Sequence, residues 1–462
     1  MQTITRVFAR ITLLTATVAA AVVIIPARQV PAAPPTSPDW NTILSTPAQG
    51  QPPAPLDKII WRPDLAAALA EARAANRPLF VTLRCLPCKQ CSAFDKDVLE
   101  GGPDLDPLLR QFITVRLTSA KDVDLRLLPM QDFQDLDLSW WGYFLSPEGR
   151  VYGIFGGRDE VSDETRISVP ALINTLKRVL AHHYDPRRAS WDIDGPAPAI
   201  THAPLPPTQL PGWASWSKDR KFDKKTAEAA CLHCHQIAEI LRQPALDAHT
   251  FDKAHDLDMW PLPENVGLKL DRDDGLRVTA VTPDSPAAKA GLKPGDQLAA
   301  AADRRLFGQT DFRGVLHRAP NAAGEIPIHW LRDNKPMNAT LAFPDGWRKT
   351  VLDWRMSISQ GNIGAEPGFW PLPASPAIRK KFAISEDKLC IHPYATNGNA
   401  KAAGLTDKMY VTAIDNQSPN LAQRGLLVWF RLHHELGDPV TLTVIDPEGQ
   451  QKQIQYKAGR WE

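Results

Sequence analysis

Two short runs in this chain set reactive side chains at spacings that chemistry can use. Cys85-Leu-Pro-Cys88 places two thiols one helical turn apart, and Cys91 follows three residues later. Such a trio can exchange disulfides, hold a metal or close a structural disulfide. Further on, Cys231-Leu-His-Cys234-His235 has the C-x-x-C-H spacing by which c-type haem is attached. The two thiols bond the vinyl groups and His235 presents its imidazole to the iron. Met259 is a candidate sixth ligand, with His255 or His249 as substitutes. A disulfide or a metal clip stays open for this segment too. Zinc is the weaker reading, because His249 and His255 are oddly spaced for a closed four-ligand site. Cys390 stands alone and reads as a small buried thiol.

The elements that position the first run are legible from pattern. Trp61 to Asn76 has apolar residues on one helical face, and Pro78 to Leu83 is rich in strand formers. After the cysteines come a helical stretch, a strand at Phe112 to Leu117, a hairpin over 141–155 and a helix from Ile167 to His183. Helix, strand, C-x-x-C, helix, strand, hairpin, helix resembles the thioredoxin-like proteins over about residues 57–184. That resemblance implies that Cys85 is the attacking thiol, favoured as thiolate at a helix N-terminus, and Cys88 the resolving one. Two departures stand out. Asp137 to Trp141, which precedes the hairpin, has no proline where thioredoxins carry a cis-proline, and Cys91 is additional.

A third motif, Asp284-Ser-Pro-Ala-Ala-Lys-Ala-Gly-Leu-Lys-Pro-Gly-Asp296, resembles the signature of bacterial PDZ domains over about 263–345. The resemblance implies peptide binding by strand addition, with Val266, Gly267 and Leu268 as carboxylate loop and binding strand. Phe312 to His317 would be the groove helix, with Phe312 and Leu316 facing the peptide. The chain then repeats itself. Trp260-Pro-Leu-Pro263 recurs as Trp370-Pro-Leu-Pro373, Ala288-Lys-Ala-Gly-Leu292 as Ala400-Lys-Ala-Ala-Gly-Leu405, and Asp303 as Asp415. Nearly constant offsets point to a duplicated, degenerate PDZ-like domain over 346–462.

The expected fold class is multidomain α/β and α+β. Residues 1–26 read as a signal peptide or N-terminal anchor: Arg6 and Arg10 precede an uncharged apolar run from Ile11 to Ile25. Pro-rich linkers follow over 27–56 and 185–211, and 212–262 forms a short helical C-x-x-C-H segment. Lys+Arg at 53 against Asp+Glu at 52 gives no reason to expect nucleic acid as a partner. No Gly-x-Ser-x-Gly run is present, which argues against a serine protease. The order of parts resembles a largely uncharacterised group of exported bacterial thioredoxin-fold proteins. That resemblance carries the architecture alone; two cysteine motifs in one exported chain point to a periplasmic or otherwise extracytoplasmic haem c and thiol redox protein, recruiting a redox partner or protein C-termini through PDZ. The alternative is a non-catalytic PDZ scaffold whose cysteines are staples.

Overall fold

A computed structural model describes residues 38–460, apart from 47, 49, 84–101, 119–121, 131–134, 138–139, 158–167, 196, 199–202, 219–231, 254–255, 258–259 and 349–354. After α1 (Trp40–Ser45), the order is α2 (Leu65–Ala75), β1 (Leu79–Leu83), α3 (Asp106–Leu109), β2 (Ile113–Leu117), β3 (Trp140–Leu145), β4 (Val151–Gly157) and α4 (Val169–His183). Asp64 starts α2 by accepting the Ala67 N–H, and Ser168 starts α4 by accepting that of Ala171. The sheet runs β2-β1-β3-β4, with β1 parallel to β2 and antiparallel to β3. Side chains alternate across it. Leu79, Val81, Leu83, Trp141, Tyr143 and Leu145 face one core. Phe80, Trp140 and Phe144 face a second, against α4.

The next two helices, α5 (Trp213–Lys218) and α6 (Cys234–Asp247), cover the first of those faces. Leu210, Trp216, Leu232, Ile237 and Ile240 join its core. The C-x-x-C-H segment, expected as a separate piece, therefore completes the core of the first domain. The stretch 185–211, expected as a linker, is also laid on that domain. Gly195 donates its N–H to Val151, Leu125 donates to Leu205, and Asp194 pairs with His182 and Arg188. Proline fixes φ, so a Pro-rich run follows a surface as readily as it spans a gap.

The PDZ copy contains β5 (Leu268–Leu270), β6 (Val278–Val281), α7 (Pro286–Lys289), β7 (Gln297–Ala301), β8 (Arg304–Arg305), α8 (Gln309–Arg318), β9 (Gly324–Arg332) and β10 (Lys335–Phe343). Its sheets are β10-β9-β7-β8 and β5-β6. Helix α1, inside the expected linker 27–56, lies against β10. After α9 (Met356–Ser359), the second copy contains β11 (Trp370–Pro373), α10 (Pro376–Lys381), β12 (Ile391–Tyr394), α11 (Gly398–Ala402), β13 (Tyr410–Ile414), α12 (Gln423–His433), β14 (Pro439–Ile445) and β15 (Gln451–Lys457). Strand pair, short helix, strand, long helix and hairpin recur in the same order. Among the described residues no helix is long and apolar enough to cross a membrane. Residues 1–26, the expected signal peptide or anchor, lie outside them.

Candidate functional site

Cys85, Cys88, Cys91, Cys231, His255 and Met259 lie outside the described residues. The elements around them are described. β1 ends at Leu83, two residues before Cys85, and chain geometry limits that step to about 7 Å. Beside the end of β1 lies Trp141: Thr82 is opposite Gly142, and its hydroxyl donates to the Trp141 carbonyl at 3.1 Å. The Trp141 indole, buried, donates its N–H to Cys234 Sγ at 2.9 Å. Cys234 is thus held at the end of the sheet from which the chain runs on to Cys85.

Cys234 and His235 form the first turn of α6. His235 Nδ1 lies 3.3 Å from Oε1 of Glu239, one turn along the helix. Glu239 is fully buried, and its Oε2 accepts the Trp216 indole N–H at 2.9 Å. The His233 ring stacks nearly parallel on His235, at 5.5 Å between centroids. Burial, helped by His235, pushes the His233 imidazole below its ordinary range. Trp141, Trp216 and Glu239 went unread in the sequence; the i, i+4 spacing of Glu239 from His235 was the available signal. His249 is exposed beyond the far end of α6, about 20 Å along the helix axis from His235. That separation rules it out as a second ligand to an iron held by His235. Among the described residues no cluster of three or more His, Cys, Asp or Glu could hold a metal. Cys390 is fully buried, and burial raises its thiol.

In the PDZ copy, Val266, Leu268, Phe312 and Leu316 are all buried in one core. Phe312 and Leu316 therefore face inward, and the opposite side of α8 is covered by neighbours. Thr310 donates to the Gly156 carbonyl at 3.1 Å, and Trp260 stacks on His317 at 4.6 Å. Strand β5 is arranged differently. Gly267, at φ 83°, precedes it, and a Cβ there would collide with Ser285, the N-cap of α7. Gly267 accepts from Thr282 and Asp271 donates to Arg277, so alternate residues face β6. The main-chain groups of Leu268 and Leu270 face the other way. Among the described residues β5 pairs with β6 alone, leaving an edge to which a strand can be added.

The second copy keeps the glycine and loses the edge. Gly368, at φ 76°, precedes β11, and a Cβ there would sit 2.8 Å from that of Ala400 on α11. Ala374 donates to Cys390, so Trp370 and Leu372 face β12 while Pro371 and Pro373 face outward with no N–H to give. β11 also lies directly against α12, whereas α8 and β5 make no comparably close approach.

A buried ionic network ties the parts together. Asp135 accepts from Arg313 of α8 at 2.6 Å and from Arg355, beside α9, at 3.0 Å. Asp137 accepts from Arg355 at 3.2 Å and from the Ser357 N–H at 2.7 Å. Burial raises the Asp135 carboxyl, but the Arg355 and Arg313 charges outweigh it and hold the group below its ordinary range. At the junction of α8 with β4, Asp311 accepts the N–H groups of Ile154, Phe307 and Gly308. Burial nonetheless pushes Asp311 up to about 6.

The comparisons define the class. A family described as Thioredoxin-like matches residues 60–130, and the PDZ domain family matches residues 265–342. The chain thus carries a thioredoxin-like domain and a PDZ domain, parts suited to redox or protein-interaction work. No curated protein matches the chain.

Proposed function

We propose that this is an exported thiol–disulfide and haem redox protein that recruits protein partners through its PDZ region. The observation carrying the proposal is the Trp141–Cys234 contact, which brings the C-x-x-C-H segment to the sheet end that leads to Cys85. In this reading Cys85 thiolate attacks a partner disulfide and releases one partner thiolate. Cys88 thiolate then attacks Cys85 Sγ and frees the other, so two electrons pass from the dithiol to the partner. Cys231 and Cys234 would hold a haem covalently and His235 would ligate its iron. The half-buried, mostly apolar setting of Cys234 suits a thioether, and the Nδ1 contact of His235 leaves Nε2 for a metal. Bound haem supplies one-electron transfer.

The test is expression in a host that matures c-type cytochromes, followed by a visible spectrum in alkaline pyridine and a disulfide-reduction assay. A haem c spectrum lost in Cys231→Ala/Cys234→Ala, with turnover lost in Cys85→Ser, is the expected result. No haem and no turnover would transfer the function to a scaffold. One observation favours that second reading: Asp135 and Asp137, next to the proline-free approach to β3, are tied inside the molecule to Arg313 and Arg355.

A further inference from the structure

His235 is one of two histidines in a Cys-Leu-His-Cys-His run, and either ring nitrogen of an imidazole can carry the proton. Its surroundings make that choice. Glu239 follows four residues later, which places its carboxylate on the same face of α6. The Trp216 indole has an N–H and no acceptor, so Oε2 of Glu239 is fixed as an acceptor. The other oxygen, Oε1, is left facing His235 Nδ1 at 3.3 Å. His233, parallel to the ring, limits its rotation. The Glu239 side chain is fully buried and that of His235 is 14% exposed, so water competes weakly for this contact.

We propose that Glu239 is a positioning residue for His235. It keeps the proton on Nδ1, so that Nε2 carries the lone pair and is the nitrogen offered to an iron. The role of Nε2 rests on the haem reading above; the location of the proton does not. A carboxylate behind a ligating imidazole also raises its basicity and stabilises the ferric state. Glu239 thereby sets the reduction potential as well as the orientation.

Two measurements test this on the full chain. The first uses haem-free protein labelled with ¹⁵N-histidine, with His235 assigned by loss of its signals in His235→Gln. Long-range ¹H–¹⁵N spectra should show the Nδ1–H tautomer in the parent and a shift toward Nε2–H in Glu239→Ala. An Nε2–H parent, or a tautomer unmoved by the substitution, overturns the proposal. Should Glu239→Ala fail to fold, Trp216→Phe keeps the carboxylate, removes one of its donors, and should retain Nδ1–H; a switch to Nε2–H there counts against Glu239. The second uses haem-loaded protein, where Glu239→Gln should raise the midpoint potential with an unchanged pyridine spectrum. An unmoved potential contradicts the proposal. Absence of haem in the parent sinks the ligand reading alone, and the tautomer result then decides the place of Glu239.

Discussion

The PDZ domain and the repeat that follows it share their frame and differ at the edge of the leading strand, where a peptide would bind in the first. Each has a positive-φ glycine pressed against a short helix: Gly267 on the cap of α7, Gly368 on α11. After it, the first copy turns the main chain of Leu268 and Leu270 outward. The second turns out Pro371 and Pro373 and closes α12 over them. A fold can thus be kept while its recognition edge is removed by two residues that lack an N–H. The helices diverge less. α8 docks on β4 of the thioredoxin-like domain, and α12 shares a small apolar cluster with the end of α6 through Val428 and Leu432. Both copies act as internal struts, and of their two leading strands β5 alone turns N–H groups to an open edge among the described residues.

Four experiments break or sharpen this contrast. The largest effect is expected from Gly267→Val. It adds a side chain at positive φ against Ser285 and should cost about 4 kcal/mol or more in chemical denaturation. A loss below 1 kcal/mol, a rough floor for a buried clash, would show that the loop is slack.

Next is the anchoring of each copy. Arg355→Met leaves Asp135 and Asp137 buried with Arg313 as the remaining cationic partner of Asp135, and should cost about 3–5 kcal/mol. Arg431→Met in α12 removes bonds to Glu366 and the Gly361 carbonyl. Glu366 is 19% exposed and can turn to water, so about 1–3 kcal/mol is expected. Equal losses would erase the difference in anchoring.

Acid should act at the first copy's junction. Burial lowers His182 and His183 to about 4 from an ordinary 6.5, and His182 packs on Phe307. Between about 4 and 6.5 the unfolded chain binds more protons at these two sites, so their contribution to stability grows as pH rises. Asp311, raised to about 6, opposes this, because there the folded form holds the proton until that pH. Two groups outweigh one, so the melting temperature should fall on acidification from pH 6.5 to 4.5. Asp311→Asn should steepen the fall and His182→Gln should flatten it; the reverse pattern would refute the assignment.

The smallest signal is peptide protection. In hydrogen exchange of the full chain, saturating peptides with free C-termini should slow the amides of Leu268 and Leu270 and leave that of Leu372 unchanged. Protection at Leu372, whose N–H already faces β12, would mean that peptide also reaches the second copy.

Much of the fold was legible because its signals are local. The 3.6-residue pattern before β1, the strand formers at Leu79–Leu83 and the S-P-A-A-K-A-G-L run each describe one element that sits where its pattern says. The repeat was legible in part. Ala288-Lys-Ala and Ala400-Lys-Ala fall on equivalent short helices, α7 and α11. The two Trp-Pro-Leu-Pro runs do not correspond: the first leads into the turn before Gly267, and the second is β11 itself, after Gly368. An insertion holding α10 lengthens the path from glycine to short helix, and a constant offset cannot register that. The site was less legible. Trp141 meets Cys234 across 93 residues of sequence and Asp135 meets Arg355 across 220, and no pattern inside a window reports such pairs. Composition misled at 185–211, where prolines follow a surface instead of freeing the chain.

The sharing of one core between the first sheet and α6 has a consequence in time. Synthesis runs from the N-terminus, and β4 is made well before Trp216, Ile237 and Ile240. Until those residues arrive, the shared face of the sheet is covered by α2 but lacks the rest of its core. The first domain is therefore half-built until the C-x-x-C-H helix arrives to complete its core.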